Sequence, residues 1–208
     1  MSISKQALQR MPYYLQFLKN QKALGCTTIS APKIAAKFNF KEIQVRKDLA
    51  SASTVNGKPK IGFQIETLIK DMENVLGYND KKEAILVGVG SLGQALLGYK
   101  GFGYYGITII GIFDNDPEKV GEVIRGKTVK SCDQISDFCR QHNVHLGVIT
   151  VPEKQAQVVC DQLVAGNIGA IWNFAPIYLS VPENILVQNE NMAASLALLS
   201  KHLKEKNM

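Results

Sequence analysis

Ala84-Ile-Leu-Val-Gly-Val-Gly-Ser-Leu-Gly93 is the stretch on which the reading of this 208-residue chain turns. Four apolar residues of strand character run into glycines spaced GxGxxG, and Gln94 opens a stretch of helical character. A GxGxxG alone is a weak signal; between a strand and a helix it acquires a physical meaning. Gly88 permits the tight turn, Gly90 lets a pyrophosphate approach the backbone, and Gly93 allows close helix-to-strand packing. The N–H groups at the start of the helix favour phosphate charge. Gly88, Val89, Gly90, Ser91, Leu92 and Gly93 are therefore the expected cofactor loop. The alternative is a glycine turn in a nucleotide-free αβ fold.

Working outward, the next apolar run, Ile107-Thr-Ile-Ile-Gly-Ile-Phe113, ends at Asp114, 21 residues past Gly93 and close to the ~20 of a dinucleotide fold. An acid there accepts hydrogen bonds from the adenosine ribose and repels a 2′-phosphate, so the expected cofactor is NAD(H) rather than NADP(H). Val144-His-Leu-Gly-Val-Ile-Thr-Val151 and Ile168-Gly-Ala-Ile-Trp-Asn-Phe174 are further strand-like runs. Helical stretches around 94–97, 133–141 and 154–164 separate them. Near-continuous apolar strands alternating with helices predict a parallel sheet covered on both faces. Residues 191–206 read as a last helix with Met192, Leu196, Leu199 and Leu203 along one stripe, either domain core or a surface that needs a partner.

The front of the chain has a different character. Residues 1–78 hold 12 Lys+Arg against 5 Asp+Glu, net +7, whereas residues 79–208 hold 12 against 13, net −1. A basic module joined to a near-neutral one suggests a polyanion at the front, with a solvated basic surface as the alternative. Met11-Pro-Tyr-Tyr-Leu-Gln-Phe-Leu18 has helical spacing and stops at Gly25. Ser30-Ala-Pro-Lys33 starts a second helix with a capping serine and a first-turn proline. A third, over 41–50, is expected to carry Ile43, Val45 and Leu49 inward, with Lys41, Gln44, Arg46 and Lys47 available to phosphates and base edges. Asn56-Gly57 is a hairpin signal, followed by the strand-like Ile61-Gly-Phe-Gln-Ile65, which makes Lys58 and Lys60 the basic residues of a wing. Residues 68–76 and the turn at 77–80 read as a linker. The predicted fold is thus α/β: a winged helix-turn-helix domain over 1–78, a Rossmann domain over 79–190 and a C-terminal helix over 191–208.

In combination the two halves resemble the Rex redox-sensing transcriptional repressors over nearly the whole chain. Arg10-Met-Pro-Tyr-Tyr-Leu15, Gln44-Val-Arg-Lys-Asp-Leu49, the glycine loop running into Tyr99-Lys-Gly-Phe102, Phe113-Asp-Asn-Asp-Pro117, Thr150-Val-Pro152 and Asn173-Phe-Ala-Pro176 carry the likeness. The resemblance implies a homodimer that exchanges its last helix between subunits and binds an A·T-rich inverted repeat in double-stranded DNA. It implies that NADH releases the DNA while NAD+ permits binding. It adds Thr150, Val151, Pro152, Asn173 and Phe174 to the cofactor site and makes Tyr99 a switch residue on the nicotinamide side. Two single positions and two stretches depart from the family. Gln16 stands where an Arg is usual and Asn191 where an Asp is usual, two positions that in the family belong with the Tyr to the network coupling cofactor to domain position. Ala50-Ser-Ala-Ser53 replaces Ser-Tyr-Phe-Gly, and the wing reads Gly57-Lys-Pro-Lys-Ile-Gly-Phe63 in place of Gly-Lys-Arg-Gly-Val-Gly-Tyr.

Several other classes are disfavoured. Apolar residues at 46% and charged residues at 20% are those of a globular chain, against a disordered or collagen-like one. No apolar run reaches the ~18–20 residues of a membrane span, and no charged-then-apolar leader opens the sequence. The four cysteines are scattered with no Cys-x-x-Cys pair, consistent with a reducing, cytoplasmic setting. Cys139, His142 and His145 match no standard zinc spacing. An NAD-dependent oxidoreductase is the main rival, but no residues remain for a substrate domain, and neither His142 nor His145 stands where a proton shuttle is expected. The expectation is a non-enzyme with no catalytic or metal-binding residue. A dinucleotide sensor acting through protein partners is the second rival.

Overall fold

In the computed structural model, residues 3–54, 57 and 61–206 are described. The chain divides into two units, Met1–Asp80 and Lys81–Met208.

The first unit is built on α1, Lys5–Ala23, whose N-terminus is closed by Ser4 Oγ accepting the Ala7 N–H at 3.2 Å. Its C-terminus ends in a Schellman motif: Gly25, at φ +82, donates to the Lys22 carbonyl, and Cys26 donates to that of Gln21. Ala7, Met11, Tyr14, Leu15 and Leu18 recur at helical spacing and are buried. A short strand β1, Thr28–Ile29, precedes α2, Ala31–Phe38, which Ser30 caps as its sequence predicts. Next come α3, Glu42–Ala52, β2, Phe63–Gln64, antiparallel to β1, and α4, Ile65–Leu76.

Three expectations need correction here. Ile43 does not point inward: it is 71% exposed while Val45 and Leu49 are fully buried. Positions 43 and 45 lie about 200° apart on a helix, so they cannot share a face. The strand expected over 61–65 is only two residues long, because Ile65 already belongs to α4. That helix is not a linker. Ile65, Leu68, Ile69 and Met72 form a buried stripe that completes the core with α1. Lys58 and Lys60, the wing lysines, lie outside the described residues.

The second unit begins with β3, Lys82–Val87, then α5, Ser91–Leu97, and a 3-10 turn at Lys100–Tyr105. β4, Ile107–Asp114, leads through β5, Val123–Ile124, to β6, Lys127–Ser131. α6, Ile135–His142, β7, Leu146–Ile149, α7, Glu153–Ala165, β8, Ala170–Asn173, β9, Leu186–Asn189, and α8, Met192–Lys206, complete it. The seven strands lie in the order β5-β6-β4-β3-β7-β8-β9, parallel throughout except for β5 against β6. Arg125 and Gly126, both at positive φ, make the two-residue turn of that edge hairpin.

β3 sits at the centre because its residues suit burial on both faces. Ile85 and Val87 pack into the layer that holds α6 and α7, and Ala84 and Leu86 into the opposite one. Each such aliphatic side chain contributes about 1.5–3 kcal/mol on full burial. From β3 the chain winds first towards β4 and β6, then returns to add β7, β8 and β9 on the other side. The reversal opens a crevice between the C-terminal ends of β3 and β7, where such sheets bind ligands. α8 is capped by Asn191, whose Oδ1 accepts the Ala194 N–H at 2.8 Å, and none of its residues with a described side chain is buried. Among the described residues, no helix is long and apolar enough to cross a membrane.

Candidate functional site: the nucleotide cleft and the recognition helix

At the reversal lies a cleft of about 560 Å³ whose floor is Gly88, Gly90 and Leu92, with Thr150, Val151 and Pro152 from the end of β7 facing them. The three glycines do different work. Gly88 stands at φ +96, and a Cβ there would come within 2.7 Å of the Thr150 carbonyl oxygen. A Cβ on Gly93 would strike the Gly88 carbonyl oxygen, so that glycine closes α5 against the loop. A Cβ on Gly90 would meet nothing within 4 Å among the described residues. Its open side is the space through which a phosphate can reach the backbone, and the loop therefore fits a pyrophosphate. The helix begins at Ser91 rather than Gln94, with Gly90 as its N-cap. Gln94 instead braces the loop, its Nε2 donating to the Val89 carbonyl at 2.9 Å.

Asp114 is held rigidly at the tip of β4. Its Oδ2 accepts the Val89 N–H at 2.8 Å and its Oδ1 accepts the Asp116 N–H at 3.0 Å. A carboxylate fixed this way beside the glycine loop suits a ribose diol. Thr150, though it lines the cleft, spends its hydroxyl on the Val87 and Gly88 carbonyls at 3.0 and 2.7 Å. Phe174 forms part of the wall.

Other expected cofactor residues are placed differently. Asn173 is fully buried and absent from the cleft; its Nδ2 donates to Ala175, Ile177 and Asn189, and its Oδ1 accepts the Ala175 N–H. It shapes the turn that presents Phe174. Val89 is buried, and neither Ser91 nor Gly93 faces the cleft. Tyr99 is exposed and outside the cleft wall, at one end of an aromatic run: Tyr99 to Phe102 at 5.1 Å, Phe102 to Trp172 at 5.9 Å and Trp172 to Phe174 at 4.5 Å.

Four cleft residues escaped the sequence reading: Asn115, Asp116, Lys119 and Gln155. Lys119 Nζ lies 3.0 Å from Asp116 and 3.6 Å from Asp114. That lysine holds the Asp116 carboxyl below its ordinary range, and Asp116 in turn raises Lys119. The signal available in sequence was an acid and a lysine at i, i+3 just past the β4 acid.

In the first unit, Arg46 and Lys47 of α3, and Lys41 at its N-cap, are exposed to solvent. Arg46 is paired with Glu42 one turn earlier, Nε to Oε1 at 2.7 Å. Behind this face, Arg10 grips Asp48 with two hydrogen bonds, 2.8 and 2.9 Å, and Tyr14 donates to the same carboxylate at 2.9 Å. Burial, then the contact with Asp48, pushes the Tyr14 phenol up to about 12. Gln44, expected to meet DNA, has its amide oxygen against Arg10 at 3.0 Å once the amide is oriented to satisfy both groups. The sequence reading missed this cluster because Arg10 and Asp48 are 38 residues apart. Gln16 is exposed and bonds Asn20 within α1, while Asn191 serves as the α8 cap. Cys132, Cys139 and Cys160 are buried thiols raised by burial to about 12, 11 and 11. Among the described residues no group of three or more His, Cys, Asp and Glu is placed to hold a metal ion.

Family comparison agrees with both halves. A family model described as "CoA binding domain" matches residues 79–177, and one described as "Putative DNA-binding protein N-terminus" matches residues 2–50. The redox-sensing transcriptional repressor Rex of Bacteroides fragilis is 36% identical over 201 residues, covering 97% of this chain and 91% of its own. The chain belongs to the Rex family. Among solved structures, RSP in complex with β-NAD+ and operator DNA matches with a TM-score of 0.92 at 30% identity, over 100% of this chain and 95% of its own. RSP in complex with β-NADH matches with a TM-score of 0.84 at the same identity, over 100% and 97%. The relatives are Rex repressors, regulators rather than enzymes, and a Rex protein is thus α/β with a DNA-binding N-terminal part and a Rossmann-like nucleotide part.

Proposed function

We propose that this Rex-family chain is a DNA-binding transcriptional repressor that senses the NADH/NAD+ ratio, with operator DNA released when NADH occupies the cleft, and that it catalyses no reaction. The observation that carries the reading is the open face of Gly90 beside a rigidly held Asp114. That pairing suits the pyrophosphate and ribose of NAD(H), on a chain whose first 78 residues carry net +7. The cofactor residues are Gly88, Gly90 and Leu92 for the pyrophosphate, Asp114 for the adenosine ribose, and Thr150, Val151, Pro152 and Phe174 towards the nicotinamide. Lys41, Arg46 and Lys47 meet DNA, joined by the wing lysines Lys58 and Lys60. The working division is 1–78 for DNA, 79–190 for cofactor and 191–208 for dimerisation. The exposed Met192, Leu196, Leu199 and Leu203 support a homodimer in which α8 is covered by a second copy, reading an A·T-rich inverted repeat in the cytoplasm.

A gel shift with an A·T-rich palindrome, with and without NADH, tests the reading. Binding that NADH weakens supports it; no binding to any duplex overturns it in favour of a sensor acting through protein partners. Gln16 and Asn191 bear on the strength of the response. A charge-assisted contact contributes about 1.5–3 kcal/mol and a neutral one about 0.5–1.5. Neutral side chains at two positions that the resemblance assigns to the coupling network bias a two-state equilibrium more weakly, and a ligand shifts that equilibrium only by its differential affinity. Gln16→Arg with Asn191→Asp is expected to deepen NADH-driven release, with neither change sufficient alone. Release by the unmodified protein as complete as by the double variant rules this out.

A further inference from the structure

Asp114 accounts for ribose recognition, but it does not explain why a lysine lies beside it. Lys119 faces the same cleft, within 3.6 Å of the Asp114 carboxylate. An ammonium there is the group that a 2′-phosphate would seek, and by itself it would erode any preference against phosphorylated nucleotides. Its second partner changes that. Asp116 Oδ2 takes the Lys119 Nζ at 3.0 Å, while Asp116 Oδ1 accepts the Glu118 N–H at 3.1 Å, so the acid is itself fixed by the turn. The turn returns Lys119 to this position through its own N–H, which donates to the Asp116 carbonyl at 3.0 Å. The three side chains form a closed −/+/− group of net −1 at the ribose end of the cleft.

From this geometry we infer that Asp116 is a second specificity-determining residue, which ties Lys119 down and so keeps the cleft from accepting a 2′-phosphorylated nucleotide. The inference rests on the dinucleotide reading above and deepens it. With Asp116 neutral, Lys119 keeps only Asp114 of these two partners, and the group's net charge rises from −1 to 0. The ammonium is then free to meet a phosphate. Directional shifts agree with the pairing: Asp116 is lowered chiefly by Lys119, and Lys119 is raised chiefly by Asp116.

The test isolates the ribose end by using ADP and 2′,5′-ADP as probes in calorimetry on the full chain. Asp116→Asn retains an oxygen for the Glu118 N–H and nearly the same shape. It is expected to raise the affinity of 2′,5′-ADP relative to ADP about tenfold. Adding Lys119→Met to that variant is expected to cancel the gain. An unchanged ratio in Asp116→Asn overturns the role of Asp116, and a gain that survives the second substitution overturns that of Lys119. Thermal melts of the ligand-free variants identify a misfolded protein, and Asp116→Ser then repeats the measurement with the charge removed. If the unmodified protein binds neither probe nor NADH, the dinucleotide reading itself falls; a wild type that binds ADP and ignores the substitutions removes only this inference.

Discussion

The two units solve the problem of presenting a polar site in opposite ways. In the first, the device is a cluster of side chains: Asp48, 4% exposed, sits between the half-buried Arg10 and the buried Tyr14 and fixes α3 to α1 from behind. In the second, the strands of the core are apolar and the candidate site is made by backbone at the strand ends, where Gly88 and Gly93 let chain segments approach closely and Gly90 keeps one side open. A side-chain device has parts that can be removed one at a time. A backbone device fails when anything is added. Mutations should therefore do their damage by deletion in the first unit and by insertion in the second.

The largest expected effect is in the first unit. Asp48→Ala removes the shared acceptor of the half-buried Arg10 guanidinium and the Tyr14 hydroxyl and should cost about 1.5–3 kcal/mol in urea unfolding, the scale of hydrogen bonds to a charged group. A cost below ~1 kcal/mol would mean that α3 is held by apolar packing alone. In the second unit the glycines separate stability from binding. Gly93→Ala should destabilise by about 1–3 kcal/mol through the collision with Gly88. Gly90→Val should leave the melting temperature of the free protein nearly unchanged yet lower NADH affinity about a hundredfold, ~2.7 kcal/mol. Equal losses of stability in the two variants would erase the distinction.

Alkaline pH sharpens the comparison further. The thiols of Cys132, Cys139 and Cys160 are raised from 9.0 to about 12, 11 and 11, and the Tyr14 phenol from 10.0 to about 12. Each is neutral when protonated and holds its proton more tightly folded than unfolded. Its contribution to stability is complete below the unfolded value and is lost as pH rises towards the folded one. Melting temperatures should begin to fall above pH 9, as the raised thiols of the second unit lose their contribution, and more steeply above pH 10, when that of Tyr14 in the first unit is lost as well. The smallest effect is that of Tyr14→Phe, about 1 kcal/mol at neutral pH for one hydrogen bond, with the steepening above pH 10 removed. A melting curve that stays as steep in that variant would show that Tyr14 does not contribute to it.

What the sequence made legible follows the same division. The runs that became β3, β4, β7 and β8 could be read because both their faces are buried, and the glycine loop because its spacing states its geometry. β6 passed unnoticed since Lys127-Thr-Val-Lys-Ser131 buries only Val129, and β9, at the sheet edge, because Leu-Val-Gln-Asn has no fully buried residue. Ile43 cannot share the inward face of Val45 at helical period, and the stripe of α4 reads as core only once α1 is set against it. The Arg10–Asp48 pair and the return of Lys119 to Asp114 depend on tertiary distance. Asn173 enters the expected cofactor site through the family resemblance alone; in the structure its amide is taken up by the turn beside it, a local arrangement that a shared motif does not reveal.

The aromatic run has a practical consequence. Trp172 is the chain's single tryptophan, and its ring lies 4.5 Å from that of Phe174 in the cleft wall. Reduced nicotinamide absorbs in the region where indole emits, whereas the oxidised ring does not. Excitation of this one fluorophore should therefore pass by resonance transfer to a bound reduced dinucleotide. With the dinucleotide seated as proposed, the protein would carry its own label-free optical gauge of which redox form is bound.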